Sequence, residues 1–274
     1  MVSLDLFSRT HIMGILNVTP DSFSDGGCYL CQDKAVEHGL AMEEEGADII
    51  DVGGESSRPG SLPCGLEEEK RRVIPIIKQL AKKVRIPISI DTYKSEVAEA
   101  ALAEGAAIVN DISALRFDPK MAEVVAKQKA CVVLMHIKGT PGNMQQNPTY
   151  GDLMTEIISY LGEGLKIADG AGISQAIIDP GIGFGKTADH NLEIIRRLSA
   201  LKILERPILI GPSRKSFIGH ILDLPIDQRL EGTAAACCAA ILNGANIIRV
   251  HDVRQMKRVA RMTDAIKGRL KAEG

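Results

Sequence analysis

The sequence predicts an α/β fold, a (β/α)8 TIM barrel, and three observations carry that expectation. Short β-branched apolar runs alternate with longer stretches of helical spacing, eight of each. The runs lack polar alternation, which fits strands buried on both faces. The length of 274 residues suits a closed barrel, which needs roughly 250. Strands that alternate with helices imply parallel pairing through right-handed crossovers. A doubly wound open sheet is the competitor, but it has fewer units as a rule, and no GxGxxG follows the first run. No linker or shift in composition divides the chain, so residues 1–274 read as one domain.

The elements follow in order. The first strand is expected over His11–Val18, and a long connection from Thr19 to Gln32 leads to a helix over Ala35–Glu45. Strand Asp48–Val52 precedes helix Glu67–Lys83, and strand Ile86–Ile90 precedes helix Glu96–Glu104. Strand Ala107–Asn110 leads to helix Met121–Lys129. Strand Cys131–Met135 leads to helix Asp152–Ala168 through a second long connection, Ile137 to Tyr150, rich in Gly, Pro, Gln and Asn. Strands Ala176–Ile178, Pro207–Ile210 and Asn246–Val250 precede helices Asn191–Leu201, Gly232–Leu242 and Val253–Leu270. Long loops that follow strands lie on the catalytic face of a barrel, so both connections are candidate lids.

Composition narrows the function. With 33 Lys+Arg against 35 Asp+Glu, the net charge of −2 excludes a general nucleic-acid binder, which needs a basic surplus to neutralise phosphates. Aromatic residues make up 3% with no Trp, which argues against a base-stacking platform. The uncharged stretch Gly232–Ile248 is interrupted by Asn243, Gly244 and Asn246 and falls short of the roughly 20 apolar residues of a membrane span. Met1–His11 carries Asp5 and Arg9 and lacks the apolar core of a signal peptide. The six cysteines form no disulfide framework, and Cys28-x-x-Cys31 has neither a second CxxC nor a nearby His at ligand spacing. Free thiols in a cytoplasmic protein are expected.

In such a barrel the chemistry collects where strands end. Those ends read Asn17, Asp51, Asp91, Asn110, His136, Asp179, Gly211 with the downstream Lys215, and Arg249 with His251. Asp and Asn after a strand are often caps of the next helix, but Lys215, Arg249 and His251 are not cap residues, and Gly53-Gly54 follow Asp51. Two carboxylates, an amide and a lysine suit a small heterocycle. A carboxylate accepts two parallel N–H bonds from an amino-lactam edge while Lys donates to its carbonyl. Loops after the last two strands commonly bind phosphate, which suits Arg249 and His251. Asn17 offers an oxygen for Mg²⁺, which keeps several waters and shares phosphate oxygens. Gly181-Ile-Gly-Phe-Gly-Lys-Thr187 imitates a P-loop, but the pattern needs Gly where Pro180 stands. It reads instead as a Gly-rich turn with close backbone approach, and His136 as either structural or site-lining.

At these residues the chain resembles the dihydropteroate synthase family. The resemblance lies in Ile12–Gly27 (IMGILNVTPDSFSDGG), Gly46–Gly60 (GADIIDVGGESSRPG), Ser89–Thr92, Asn110-Asp111, Asp179–Phe184, Gly211–Ser216 and Arg249–Asp252. Ser57 stands where many members carry Thr, and the hydroxyl is kept. The resemblance implies a homodimeric transferase of folate biosynthesis that joins p-aminobenzoate to hydroxymethyl-dihydropterin pyrophosphate and releases pyrophosphate. By position, it implies that Asp91, Asn110, Asp179 and Lys215 hold the pterin and that Asn17, Arg249 and His251 hold pyrophosphate with Mg²⁺, Asn17 as metal ligand. Ser57, Arg58, Pro59, Phe184 and Ser213 fall on the p-aminobenzoate side. Asp25 would complete the site from the first long loop, and Asp25, Asp91, Asp179 and Lys215 would carry catalysis. Sulfonamides, which mimic p-aminobenzoate, target this family. A corrinoid-dependent methyltransferase barrel would share the acidic pocket but would not need Ser57-Arg58-Pro59. A barrel that only binds pterin would be expected to have lost Asn17, Asp25, Arg58 or His251.

Overall fold

The computed structural model describes residues 5–19, 28–56, 60–61 and 63–270. Asp25, Ser57, Arg58 and Pro59 lie outside the described residues. Eight parallel strands form the barrel: β1 (His11–Asn17), β2 (Ile49–Gly53), β3 (Ile88–Asp91), β4 (Ile108–Asp111), β5 (Cys131–Met135), β6 (Ala176–Asp179), β7 (Leu209–Ile210) and β8 (Ile247–Val250). They pair in the order β6-β5-β4-β3-β2-β1-β8-β7. A parallel bridge between Ile178 and Ile208 joins the outer two and closes the ring.

The helices described are α1 (Cys28–Glu44), α2 (Leu66–Leu80), α3 (Ser95–Ala103), α4 (Met121–Lys127), α5 (Leu153–Ala171), α6 (Ala188–Arg196), α7 (Ser216–Leu222), α8 (Leu230–Leu242) and α9 (Val253–Ile266). That is one more than the sequence led us to expect. The addition, α7, is two turns long and gives no helical periodicity to read. The helix expected over Asn191–Leu201 is divided: α6 stops at Arg196, and a 3₁₀ segment runs over Leu198–Leu204. The first helix begins at Cys28, inside the stretch expected as loop, because nothing after Gly27 interrupts the helical run. Caps fix several boundaries. Asp152 accepts from the Thr155 N–H at 2.7 Å to start α5, and Gly172, left-handed at φ 82°, ends it.

Alternation along each strand divides the core in two. Ile12, Ile50, Ile90, Val132, Ile178 and Ile248 belong to the large cluster shared with the helices. The opposite phase, Met13, Ile49, Ile108, Val133, Ile177, Leu209 and Ile247, forms a separate buried cluster with Leu6. This second set fills the barrel interior toward its N-terminal end, and the N-terminal segment seals it, with Asn246 Nδ2 donating to the Leu6 carbonyl at 3.0 Å. Two residues further along the same strands, the interior positions are Asp51, Asn110, Asp179 and Arg249. The floor of the site is therefore an apolar layer one side chain deep.

Candidate active site

Strand register sets the site. Gly53 pairs with Asp91, Asp91 with Asn110, and Met135 with Asp179. The interior phase thus turns Asp91, Asn110 and Asp179 toward one axis at the C-terminal end. Asn17, at the last position of β1, pairs with Gly53. The missing side chain at Gly53 matters here, because a methyl in that place would lie 3.6 Å from Asp91 Oδ2 and 3.8 Å from Asn17 Oδ1. The gap is where those two oxygens converge.

Arg249 lies within β8, as the strand expected over Asn246–Val250 implies, and its side chain spans the barrel. Its Nε donates to Asp51 Oδ2 at 2.6 Å and an η-nitrogen donates to Asp91 Oδ2 at 2.7 Å. Asp51 Oδ2 also accepts from Asn110 Nδ2 at 2.9 Å. Asp51 is fully buried and so acts as the hub of an Asn110–Asp51–Arg249–Asp91 chain. Burial opposes the guanidinium charge, but Asp51 and Asp91 outweigh it and raise the Arg249 pKa. Asp91 moves the other way from an ordinary carboxyl. Burial pushes it up to about 7, against the pull of Arg249 and helped by the neighbouring Asp51.

Asp179 is buried and accepts from the Gly181 N–H at 2.7 Å through Oδ1. Burial raises its pKa, opposed by that N–H and by Lys215. Burial lowers Lys215 to about 8, with Asp179 resisting. Lys215 Nζ donates to the Ile182 carbonyl and lies 4.6 Å from the centre of the Phe184 ring. Phe184 itself packs with the buried Ile112, Met135, Ile137 and Met144. The second candidate lid therefore contributes apolar side chains beside the pocket.

Ser213 and His251 form a separate corner between the loops after β7 and β8. Ser213 Oγ lies 3.0 Å from His251 Nδ1 and accepts from the His251 backbone N–H at 3.2 Å. The hydroxyl accepts the backbone N–H and still has a proton and a second lone pair with which to meet the ring nitrogen, so it fixes the imidazole in place. The resemblance implies the p-aminobenzoate side for Ser213, and this contact joins it to His251 as well.

His136 at the end of β5 is buried and neutral. Burial and the neighbouring Lys186 push it down to about 2, and its Nδ1 accepts from Lys186 Nζ at 2.9 Å. It serves structure more than ligand. Gly181, Gly183 and Gly185 of the P-loop imitation all have positive φ, at 70°, 82° and 66°. A Cβ at Gly181 would collide with the His136 carbonyl oxygen, so the stretch is the tight turn expected. Sequence reasoning missed Lys186, a buried lysine inside that turn, because only the fold shows that the glycines wrap it. Among the described residues Cys64, Cys131, Cys237 and Cys238 are free thiols, and none belongs to the site.

A buried carboxylate and amide pocket beside an arginine and histidine corner, at the C-terminal mouth of a barrel, marks a class, and comparison with known proteins agrees. The family model described as pterin binding enzyme matches residues 13–251. The dihydropteroate synthase of Synechocystis sp. is 49% identical over 265 residues, covering 96% of this chain and 92% of that one. The crystal structure of the Clostridium difficile enzyme in the presence of pteroic acid superposes with a TM-score of 0.91 at 48% identity, covering 96% of this chain and 99% of the other. The Yersinia pestis enzyme in complex with a sulfonamide drug gives 0.92 at 43% identity, covering 97% of each. The chain belongs to the dihydropteroate synthase family. It is a transferase that condenses p-aminobenzoate with hydroxymethyl-dihydropterin pyrophosphate to give dihydropteroate and pyrophosphate, a step of folate biosynthesis.

Proposed function

We propose that the pterin lies among Asp91, Asn110, Asp179 and Lys215, its pyrophosphate toward Asn17, Arg249 and His251, and p-aminobenzoate against Phe184 and the Ser57-Arg58-Pro59 loop. The observation that carries this reading is the buried Asp179 carboxylate, which one backbone N–H holds at one oxygen beside the Lys215 ammonium. A buried carboxylate so lightly bonded is costly unless a ligand completes it, and an amino-lactam edge supplies two N–H groups. Lys215 has three N–H donors. One is used on Ile182, which leaves others for the pterin carbonyl.

Arg249 links recognition to departure. An anionic pyrophosphate competes for its η-nitrogens while Asp51 keeps hold of Nε, and Asp91 Oδ2 is thereby released to a pterin N–H. The C–O bond then breaks with its electron pair leaving on pyrophosphate. Asp91 and Asp179 stabilise the positive charge that spreads from the exocyclic methylene over the ring. The arylamine nitrogen attacks the methylene and loses a proton, so no side chain acts as nucleophile. If the bond breaks first, labelled substrate held without amine will scramble its bridging and non-bridging oxygens. Cleavage that waits for the amine and tracks its basicity would support direct displacement instead.

Asn17 is the residue suited to hold Mg²⁺. Its Oδ1 borders the Gly53 gap, and a single neutral oxygen fits an ion that keeps several waters and shares phosphate oxygens. Among the described residues no cluster of three or more His, Cys, Asp or Glu offers a cage, so the remaining ligands would come from water and pyrophosphate. Bound there, Mg²⁺ would neutralise charge on the leaving group. Asp25 would close the site from the first long loop.

A homodimer is supported by exposed apolar side chains Ile203, Ile221, Leu222, Ile226 and Leu242, carried by α7, by the end of α8 and by the segments after α6 and α7. Sedimentation at micromolar concentration tests it. No helix among the described residues is long and apolar enough to cross a membrane. The free thiols fit a reducing compartment such as the cytoplasm. Kinship with the sulfonamide-bound enzyme supports sulfonamide binding in the p-aminobenzoate subsite. Purified protein with both substrates and Mg²⁺, assayed for pyrophosphate, tests the reaction, and release that ignores p-aminobenzoate would sink it.

A further inference from the structure

The turn after β6 has four consecutive carbonyls, and a side chain takes each one. Ile182 O accepts from Lys215 Nζ, Gly183 O from Gln145 Nε2 at 2.6 Å, Phe184 O from Lys186 Nζ at 2.9 Å and Gly185 O from the Tyr150 hydroxyl at 2.6 Å. The turn has little internal bonding to hold it otherwise. The Phe184 N–H reaches Gly181 O at 3.1 Å, and the Gly183 N–H goes to Asn191 Oδ1 at 2.7 Å. Three glycines at positive φ give this backbone more freedom than any other residue type would. Fixing it falls to the borrowed donors.

Two of those donors, Gln145 and Tyr150, come from the long connection after β5. Of the other two, Lys215 belongs to the proposed pterin pocket, and Lys186 is a buried amine that recognition of the substrates does not use. A buried lysine is costly unless its hydrogens are placed, and its placed hydrogens go to Phe184 O and His136 Nδ1. We propose that Lys186, Gln145 and Tyr150 are positioning residues that fix the Phe184 ring as the wall of the p-aminobenzoate subsite, acting through the carbonyls of residues 183–185. The inference rests on the assignment of Phe184 to that subsite.

Steady-state kinetics with both substrates test it on Lys186→Met, Tyr150→Phe, Gln145→Ala, Phe184→Ala and the Lys186→Met/Phe184→Ala double variant. Tyr150→Phe and Gln145→Ala each remove one neutral hydrogen bond and should raise KM for p-aminobenzoate about 2- to 10-fold. Lys186→Met removes two placed hydrogen bonds at once, to Phe184 O and His136 Nδ1, and should raise it by roughly 10-fold or more. KM for the pterin pyrophosphate should stay within about twofold, since its anchors are intact. The double variant should be no worse than Phe184→Ala alone, because groups that act through one another do not add. Additive losses, equal losses for both substrates, or unchanged p-aminobenzoate KM in Tyr150→Phe and Gln145→Ala would each overturn the proposal. Those two variants keep it testable if Lys186→Met folds poorly. A Phe184→Ala enzyme with normal p-aminobenzoate kinetics would instead remove Phe184 from the subsite, a different failure.

Discussion

Asp48, just before β2, and Asp179, at the end of β6, stand at opposite ends of the same barrel. Asp48 accepts from Arg9 at 2.6 Å, from the Ile12 N–H at 2.8 Å and from Lys257 at 2.9 Å. Burial would raise its pKa, but these partners more than offset that and hold it below the ordinary carboxylate range. Asp179 has one backbone N–H, and burial wins, so its pKa is raised. Asp91, coupled to one arginine that it shares with Asp51, behaves like Asp179. At the N-terminal end Asp48 has its charge satisfied by the protein, whereas at the C-terminal end Asp179 is left short of partners. On the proposed function, that difference separates a group kept for stability from groups kept for a ligand.

The sharpest way to break this comparison uses two residues of one strand. Ile177 lies in the apolar interior layer and is buried, and Asp179 lies two positions on. Ile177→Ala should cost about 2–5 kcal/mol of stability, the usual range for truncating a buried aliphatic side chain. The folded remainder should bind pterin pyrophosphate nearly normally. Asp179→Asn should do the reverse. It loses a charged hydrogen bond worth roughly 1.5–3 kcal/mol and turns an NH₂ toward the ligand's N–H, while stability holds or rises because a strained buried charge is gone. Urea unfolding and calorimetry on both variants decide. If Asp179→Asn unfolds early and keeps its pterin affinity, the carboxylate is structural after all.

Much of this division was legible in the sequence. Apolar runs without polar alternation announced strands covered on both faces, and every run but the seventh, which ends at Gly211, ended in a polar residue. Asp91, Asn110 and Asp179 converge because they share the interior phase, which period-2 alternation dictates. The partners were not legible. Arg249 meets Asp51 across 198 positions, a contact that exists only once β8 has closed beside β1. Lys186 was hidden because nothing local distinguishes a lysine wrapped by a turn from one in solvent. Ser213 and His251 lie on loops whose approach depends on helices α7 and α8, and α7 was too short to announce itself.

Titration sharpens the comparison further. The folded pKa of Asp91, near 7, exceeds its ordinary value of 3.8. Between these values the folded state binds more protons than the unfolded one. The contribution of Asp91 to stability is therefore fully present below about pH 4 and is lost as pH rises through about 7. The slope reaches at most about 1.4 kcal/mol per pH unit for one proton. Asp48, with its pKa lowered, works oppositely: its contribution is lost only as pH falls below the ordinary carboxylate range. Asp91→Asn should flatten the decline in urea midpoint between pH 4 and 7. A variant that declines as steeply as the parent would show that another group carries the slope.

The smallest effect concerns Ser213, whose place between the subsites is the finest test of which end of the substrate pair it serves. Its hydroxyl accepts from the His251 backbone N–H and lies 3.0 Å from Nδ1, an arrangement that holds the ring in one orientation. Ser213→Ala removes about 0.5–1.5 kcal/mol of neutral hydrogen bonding and frees the imidazole to turn or to change tautomer. Affinity for inorganic pyrophosphate should fall about 2- to 10-fold, the equivalent of that energy. The p-aminobenzoate KM should move less. Ser213→Thr should restore most of the loss, since its hydroxyl can occupy the same place. Should p-aminobenzoate KM rise while pyrophosphate binding is unchanged, the hydroxyl would belong to the aryl subsite, as the sequence first suggested, and the contact with His251 would be incidental to its use.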